Sequence, residues 1–282
     1  MKLKTVSIFF IAGLFCGCST PPQEESIVTQ EDPEKEIVTE IRDDLETLFN
    51  DFELTGGFIL FDENANKYSI YNQKICDSAF TPASTFKICN TIIGLETGVL
   101  SDADHLMKWD GTVHGNENWN QDHTLRSAMK NSTVWYYQKL AREIGEERMR
   151  HWMDTLNYGN GDISGGIDLF WLNGGLRISP KQEIDFLRRL KNEQLPVSQR
   201  SMDITKEIMT VEETPDYSIH AKTGWGIQGD EQHIGWYVGY VQTKENVYYF
   251  ANCIQTNEFS SELANARVEI VGEILKKLNI LE

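Results

Sequence analysis

The sequence predicts an α+β fold of the sandwich type: an antiparallel sheet flanked by N- and C-terminal helices, with a helical subdomain inserted between the sheet's two halves. Three observations lead there. Strand signals fall in two separated blocks, residues 57–71 and 217–253, and helix-period apolar spacing brackets them near 37–49 and 262–278. A run of helical segments lies between the blocks. The chain of 282 residues, 40% hydrophobic and 11% aromatic, holds enough apolar material for one large domain or two intimate subdomains.

The first residues read as processing signals rather than fold. Met1-Lys2-Leu3-Lys4 is basic, the apolar run from Val6 to Phe15 is too short to cross a bilayer, and Cys16-Gly17-Cys18-Ser19 follows. Residues 1–17 are expected to be a signal peptide, directing the chain to the periplasm or cell envelope. Glycine before Cys18 resembles a bacterial lipoprotein processing site, which implies lipidation of Cys18. Phe15 and Cys16 depart from the usual pattern there, and plain cleavage is the alternative. From Gln23 to Glu46 ten acidic residues stand against Lys35 and Arg42, with Pro21, Pro22 and Pro33 nearby. That composition predicts a solvated acidic linker over 18–46 and a folded domain over 47–282.

Within and just before the folded domain, Ile37, Val38, Ile41, Leu45, Leu48 and Phe49 recur at helical spacing. Gly57–Phe61 and Lys67–Tyr71 read as strands joined by the turn Asp62-Glu63-Asn64-Ala65-Asn66. A helix is expected from Ser84 to about Thr97, stopped by Gly98. Helices at Leu125–Lys130, Val134–Ile144, Glu147–Leu156 and Pro180–Leu190 follow, the last with proline in a favourable first-turn position. Strands return at Tyr217–Lys222, Ile234–Val241 and Asn246–Cys253, and Glu262–Leu278 closes as an amphipathic helix. Functional groups at the seam between sheet and helices would line a cleft.

A formal net charge of −17 argues against nucleic acid and against general adhesion to anionic lipid, leaving membrane contact only to an anchor at Cys18. Beyond the signal, Cys76, Cys89 and Cys253 are odd in number and form no C-x-x-C pair. They are expected to be buried small apolar residues, with a single disulfide left open. The six histidines show no H-x-x-x-H or H-E-x-x-H spacing, so no metal site is expected. Neither a G-x-S-x-G elbow nor a Walker-type loop is present.

The chemistry concentrates at Pro82-Ala83-Ser84-Thr85-Phe86-Lys87. Three residues apart, Ser84 and Lys87 share one helical face. A serine hydroxyl needs a neighbour to take its proton, and a lysine serves only where desolvation makes the neutral amine accessible; Phe86, Ile88, Ile92, Ile93 and Leu95 suggest such a dry setting. Ser84 also opens its helix, where free backbone N–H groups can face a developing oxyanion. A second Ser-x-x-Lys, Ser127 to Lys130, sits in polar–apolar alternation and reads as a solvated helix face. Lys222-Thr223-Gly224 at the end of a predicted strand offers a cation, a hydroxyl donor and close backbone approach. Ser132-Thr133-Val134 supplies another hydroxyl, and Tyr158-Gly159-Asn160 a polar turn before Trp171.

In this order and combination, the motifs resemble the penicillin-recognising serine enzymes with the β-lactamase/transpeptidase-like fold, and specifically the class D (oxacillinase-type) β-lactamases, over about Leu48 to Leu278. The resemblance implies Ser84 as acyl-forming nucleophile and Lys87 as general base after carbamylation (N6-carboxylysine), with carbon dioxide or bicarbonate as its source and no other cofactor. It further implies that Trp171 donates to the carbamate, Val134 keeps the pocket dry, and Ser132 relays a proton to the leaving nitrogen. Lys222, Thr223 and Arg267 would hold the substrate carboxylate beside Gly224, and the N–H groups of Ser84 and Trp225 would form the oxyanion hole. The substrates implied are β-lactam antibiotics.

Plain alternatives stand beside these roles: Trp171 as a core aromatic, Arg267 as a surface helix residue, Tyr158-Gly159-Asn160 as a structural turn. Cys89 and Trp135 occupy places where the family commonly has proline, and Trp225 is bulky beside the oxyanion hole, which touches substrate range more than reaction type. A non-hydrolysing β-lactam sensor of the same fold is the nearest rival. A peptidoglycan transpeptidase or carboxypeptidase would normally carry Ser-x-Asn, and Val134 argues against it.

Overall fold

A hairpin of β2 (Thr55–Asp62) and β3 (Lys67–Tyr71) turns at 63–66, with Asn66 in the left-handed region at φ 49°. The computed structural model describes residues 36–229 and 231–281. The hairpin belongs to a seven-stranded sheet completed by β1 (Val38–Ile41), β6 (Thr210–Glu213), β7 (Tyr217–Gln228), β8 (Gln232–Thr243) and β9 (Val247–Thr256). Strand order is β1-β3-β2-β9-β8-β7-β6. All pairs are antiparallel except β1 with β3, which run parallel. A separate two-stranded ladder joins β4 (Leu106–Met107) to β5 (His123–Thr124).

Alternation along the strands sorts side chains to two cores. On β8, Ile234, Trp236, Val238 and Tyr240 enter a large cluster shared with the helices of the middle region, whereas Tyr237 and Val241 enter a smaller one beneath the terminal helices. The smaller core is covered by α1 (Glu46–Asn50) and α9 (Ser261–Lys277), whose Ala266, Ile270, Val271 and Ile274 are buried. Sheet, terminal helices and inserted helices therefore form the expected α+β arrangement.

The inserted region contains α2 (Gln73–Asp77), α3 (Lys87–Glu96), α4 (Leu125–Lys130), α5 (Val134–Ile144), α6 (Glu146–Leu156), α7 (Pro180–Lys191) and α8 (Gln199–Ile208). α3 is buried at every position from Lys87 to Leu95, polar Lys87, Asn90 and Thr91 included, and its Ile88, Cys89, Ile92, Ile93 and Leu95 enter the larger core. Gly98, at φ 71°, ends it as expected. α7 begins with a capping box between Ser179 and Gln182 and carries Pro180 in its first turn.

Several expectations are corrected. The helix expected over 37–49 is instead β1, a short 3₁₀ turn at Asp43–Leu45, and α1. The β-branched run Ile37-Val38-Thr39 favours extended backbone, and β1 gains edge hydrogen bonds from Val38 N to Asn66 O (3.1 Å) and Arg42 N to Ile70 O (2.8 Å). Val38–Ile41, expected within the linker, thus belongs to the sheet. The sheet is mixed because β1 enters it parallel to β3. The helix at Ser84 opens as a 3₁₀ turn over Ala83–Phe86. β7 runs past Lys222 to Gln228, so Lys-Thr-Gly lies in mid-strand. α2, α8, β6 and the β4–β5 ladder have no counterpart among the sequence expectations. The three cysteines at 76, 89 and 253 are free and buried. The signal and Cys18 lie outside the described residues.

Candidate active site

Ser84 and Lys87 meet at the mouth of α3. Lys87 Nζ lies 2.7 Å from Ser84 Oγ, and the lysine is fully buried. Burial, aided by the nearby charge of Lys222, holds Lys87 well below the ordinary lysine range, so its neutral form is accessible. The amine sits 5.4 Å from the ring centre of Tyr137 on α5. Phe86, between nucleophile and base, packs on Phe170 and Trp171 at 5.0 and 5.3 Å. Trp171 is fully buried, yet its indole Nε1 has no hydrogen-bond partner among the described residues. A buried N–H without an acceptor is costly, and marks a place where an acceptor is due.

The turn carrying Ser84 is fixed from two sides. Ala83, at φ 49°, takes a conformation that L-residues rarely adopt, and its N–H donates to Trp171 O at 2.9 Å. β7 passes close on the other side: a Cβ at Gly224 would stand 3.0 Å from Pro82 O, and one at Gly226 3.0 Å from Ala83 Cβ. Glycine at these two positions lets the strand backbone lie along the nucleophile turn.

Lys222 projects from β7 to the α4–α5 turn, where its Nζ donates to Ser132 Oγ at 2.9 Å. Ser132 is held at φ 53°, another left-handed non-glycine residue. Burial, with the charge of Arg267, lowers Lys222 to about 7. Arg267 comes from α9; burial lowers it to about 10, and its Nε and Nη1 have no partner among the described residues. Its guanidinium stands 5.4 Å from the Trp225 ring. Arg267, near enough for its charge to lower Lys222, has spare donors that suit an anion. Thr223 lies between Lys222 and Gly224 in register with Tyr237. Val134 opens α5, half-buried, two residues beyond Ser132. In the second Ser-x-x-Lys, Ser127 Oγ bonds His123 Nδ1 (2.9 Å) and Lys130 is exposed.

Residues 56–278 match the penicillin binding protein transpeptidase domain. The chain is 43% identical over 233 residues to β-lactamase OXA-48 of Klebsiella pneumoniae, covering 83% of this chain and 87% of that protein. The solved class D β-lactamase YbXI from Nostoc superposes with a TM-score of 0.80 at 43% identity, covering 84% of this chain and 99% of that one. The chain belongs to the class D β-lactamase family. It is also 39% identical over 238 residues to the regulatory protein BlaR1 of Bacillus licheniformis, covering 84% of this chain but only 39% of BlaR1. The C-terminal domain of the BlaR penicillin-receptor from that bacterium superposes with a TM-score of 0.81 at 38% identity, covering 87% of this chain and 98% of that domain.

In this class D family member the Tyr158-Gly159-Asn160 segment is a structural latch. Asn160 Oδ1 accepts from Arg177 N at 2.9 Å, and its Nδ2 donates to Gly175 O at 3.0 Å, closing the base of the loop that carries Trp171. Gly159 sits at φ 56°, where a Cβ would run into the Arg177 carbonyl. Tyr158 O–H donates to Glu183 Oε1 at 3.0 Å. Glu183, fully buried on α7, escaped the sequence reading. Its signal was a lone carboxylate within the apolar face of Pro180, Ile184 and Leu187.

Proposed function

We propose that this chain hydrolyses the β-lactam ring of penicillin-type antibiotics through an acyl-enzyme on Ser84. The observation that carries the reading is the buried, readily neutralised Lys87 amine 2.7 Å from Ser84 Oγ, with Trp171, whose indole N–H is unpartnered among the described residues, packed on Phe86 between them in sequence. A neutral amine in a dry pocket adds carbon dioxide, and the unpartnered Trp171 donor fits the resulting anion, so Lys87 and Trp171 would hold a carbamate. When formed, that group supplies the proton acceptor for the serine and later for the hydrolytic water.

The remaining steps fall to the chain's own residues. Lys222, Thr223 and Arg267 bind the substrate carboxylate and set the carbonyl against Ser84. The Ser84 oxygen attacks the lactam carbon as its proton leaves toward Lys87, and the N–H groups of Ser84 and Trp225 receive the oxyanion. As the C–N bond breaks, Ser132 gives its proton to the ring nitrogen and regains one from Lys222. Water then cleaves the ester. Val134, at the head of α5, limits solvent at the base.

Such an activity, in a chain exported by residues 1–17 and anchored at a lipidated Cys18, would protect the envelope against β-lactams. The likeness to the BlaR penicillin-receptor favours one second reading, a sensor that is acylated without turnover. A time course with a chromogenic cephalosporin separates the two. Repeated turnover is the expected result; one equivalent of product selects the sensor, and no acylation of Ser84 overturns both. Membrane fractionation lost on Cys18→Ser tests the anchor.

A further inference from the structure

The buried carboxyl of Glu183 takes no part in the reaction above, yet it touches the residue next to the nucleophile. Thr85 Oγ1 lies 2.7 Å from Glu183 Oε1 and 2.9 Å from the Pro82 carbonyl oxygen. Tyr158 O–H reaches the same Glu183 oxygen at 3.0 Å. A threonine hydroxyl has a single proton, and a carbonyl oxygen only accepts. If Thr85 gave its proton to Glu183, the Pro82 contact would lack a hydrogen. One arrangement satisfies all three contacts: the carboxyl donates to Thr85, Thr85 donates to Pro82, and Tyr158 donates to the carboxyl.

We propose that Glu183 is a positioning residue that acts as a neutral carboxylic acid, donating a proton to Thr85 and through it fixing the Pro82–Phe86 turn on which Ser84 sits. The inference rests on the Ser84 acyl-enzyme reading. The turn needs such support because Ala83 holds a left-handed conformation at φ 49° immediately before Ser84. Tyr158 ties the same carboxyl to the loop holding Trp171, so one buried acid couples the nucleophile's turn to that loop.

The surroundings suit a neutral acid. Glu183 is fully buried, its second oxygen lacks a partner among the described residues, and burial raises its carboxyl to about 7 despite the Thr85 and Tyr158 bonds. The titratable groups packed around it are Tyr158 on the α6–α7 connection, Cys89 on α3 and Cys253 on β9, each kept neutral by burial. Arg189, further along α7, is spent on Asp185 and on the Leu156 carbonyl.

The experiment compares wild type, Glu183→Gln, Glu183→Ala, Thr85→Val and the double variant Glu183→Ala/Thr85→Val, reading the single-turnover acylation rate of a chromogenic cephalosporin. Difference infrared spectra of wild type and Glu183→Gln at pH 6 provide a readout independent of activity. Glutamine donates one amide proton to Thr85 and the other to the Tyr158 oxygen, reversing only the Tyr158 bond, so Glu183→Gln is expected to acylate within about threefold of wild type. Glu183→Ala and Thr85→Val should each lose up to about 10²-fold in acylation rate, with little change in substrate affinity. Their losses should not add in the double variant. The wild-type spectrum should carry the carbonyl stretch of a protonated acid that Glu183→Gln lacks. Wild-type acylation in Glu183→Ala, a Glu183→Gln variant as slow as Glu183→Ala, additive losses, or no acid band would each overturn the inference. Failure of wild type itself to acylate would instead strike the underlying reading.

Discussion

Lys222 Nζ reaches Ser132 Oγ at 2.9 Å, joining the middle of β7 to the α4–α5 turn across 90 residues of sequence. The contact gives the cleft a proton donor whose charge is poised near neutrality, because burial and Arg267 bring Lys222 down to about 7. In the proposed mechanism the ammonium below that value supports both carboxylate binding and proton delivery, and above it both fade. The pH profile of kcat/KM, which reports the free enzyme, should therefore decline on the alkaline side with an apparent value near 7. Lys222→Arg cannot lose its proton in that range, so its limb should shrink to the part set by Glu183, which also sits near 7, and should flatten fully only when combined with Glu183→Gln, whatever the overall rate. An unaltered alkaline limb in Lys222→Arg would assign the ionisation elsewhere.

Lys87 gives a second expectation. Its depressed value makes a neutral amine available without bulk base, and bicarbonate should raise wild-type turnover. Lys87→Ala should lose about 10²–10⁴-fold in turnover, the range of a positioned general base, and should not respond to bicarbonate. Steady-state rates with and without added bicarbonate decide it, and full activity in Lys87→Ala would remove the lysine from the mechanism.

Trp171→Phe separates the indole N–H from the ring. Packing against Phe86 and Phe170 is largely kept, while the unpartnered donor goes. A hydrogen bond to a charged group is worth about 1.5–3 kcal/mol, so turnover should fall roughly 10- to 100-fold, and more bicarbonate should be needed for half-maximal rate. A loss that ignores bicarbonate concentration would mean that the tryptophan serves packing alone.

What the sequence made legible follows from how local each signal is. Ser84 and Lys87 are three residues apart on one turn, so spacing alone places them together, and Gly98 and Pro180 mark helix ends through their own backbone chemistry. The Lys222–Ser132 and Arg267–Trp225 relationships arise from tertiary packing, and in the sequence only the family resemblance connects those residues. β1 is hidden in the sequence because a four-residue edge strand running into a helical turn gives the apolar spacing of one helix. α8 has only Met202, Ile204 and Ile208 as apolar residues among Gln, Arg, Asp, Lys and Glu, so its apolar content is low although Met202 and Ile208 reach the core. Glu183 is illegible in the sequence because a carboxylate on a helix ordinarily faces solvent, and tertiary packing alone buries it.

The same residue yields a stability test. In the folded protein the Glu183 carboxyl sits near 7, above the ordinary value of 4.5, so the native state holds this proton more tightly than the unfolded chain does. The stabilisation is fully present below about pH 4.5 and is lost as pH rises through 7, by roughly 3 kcal/mol in all for a fully buried group. Glu183→Gln keeps neutral hydrogen bonds and has no proton to lose. Urea unfolding at pH 5 and pH 8 should therefore show wild type losing roughly 2.5 kcal/mol relative to Glu183→Gln between the two conditions, the rest of the span lying below pH 5. Parallel pH dependences in the two proteins would mean that the carboxyl is already ionised at pH 5, and that Thr85 gives its proton to Glu183 rather than to Pro82.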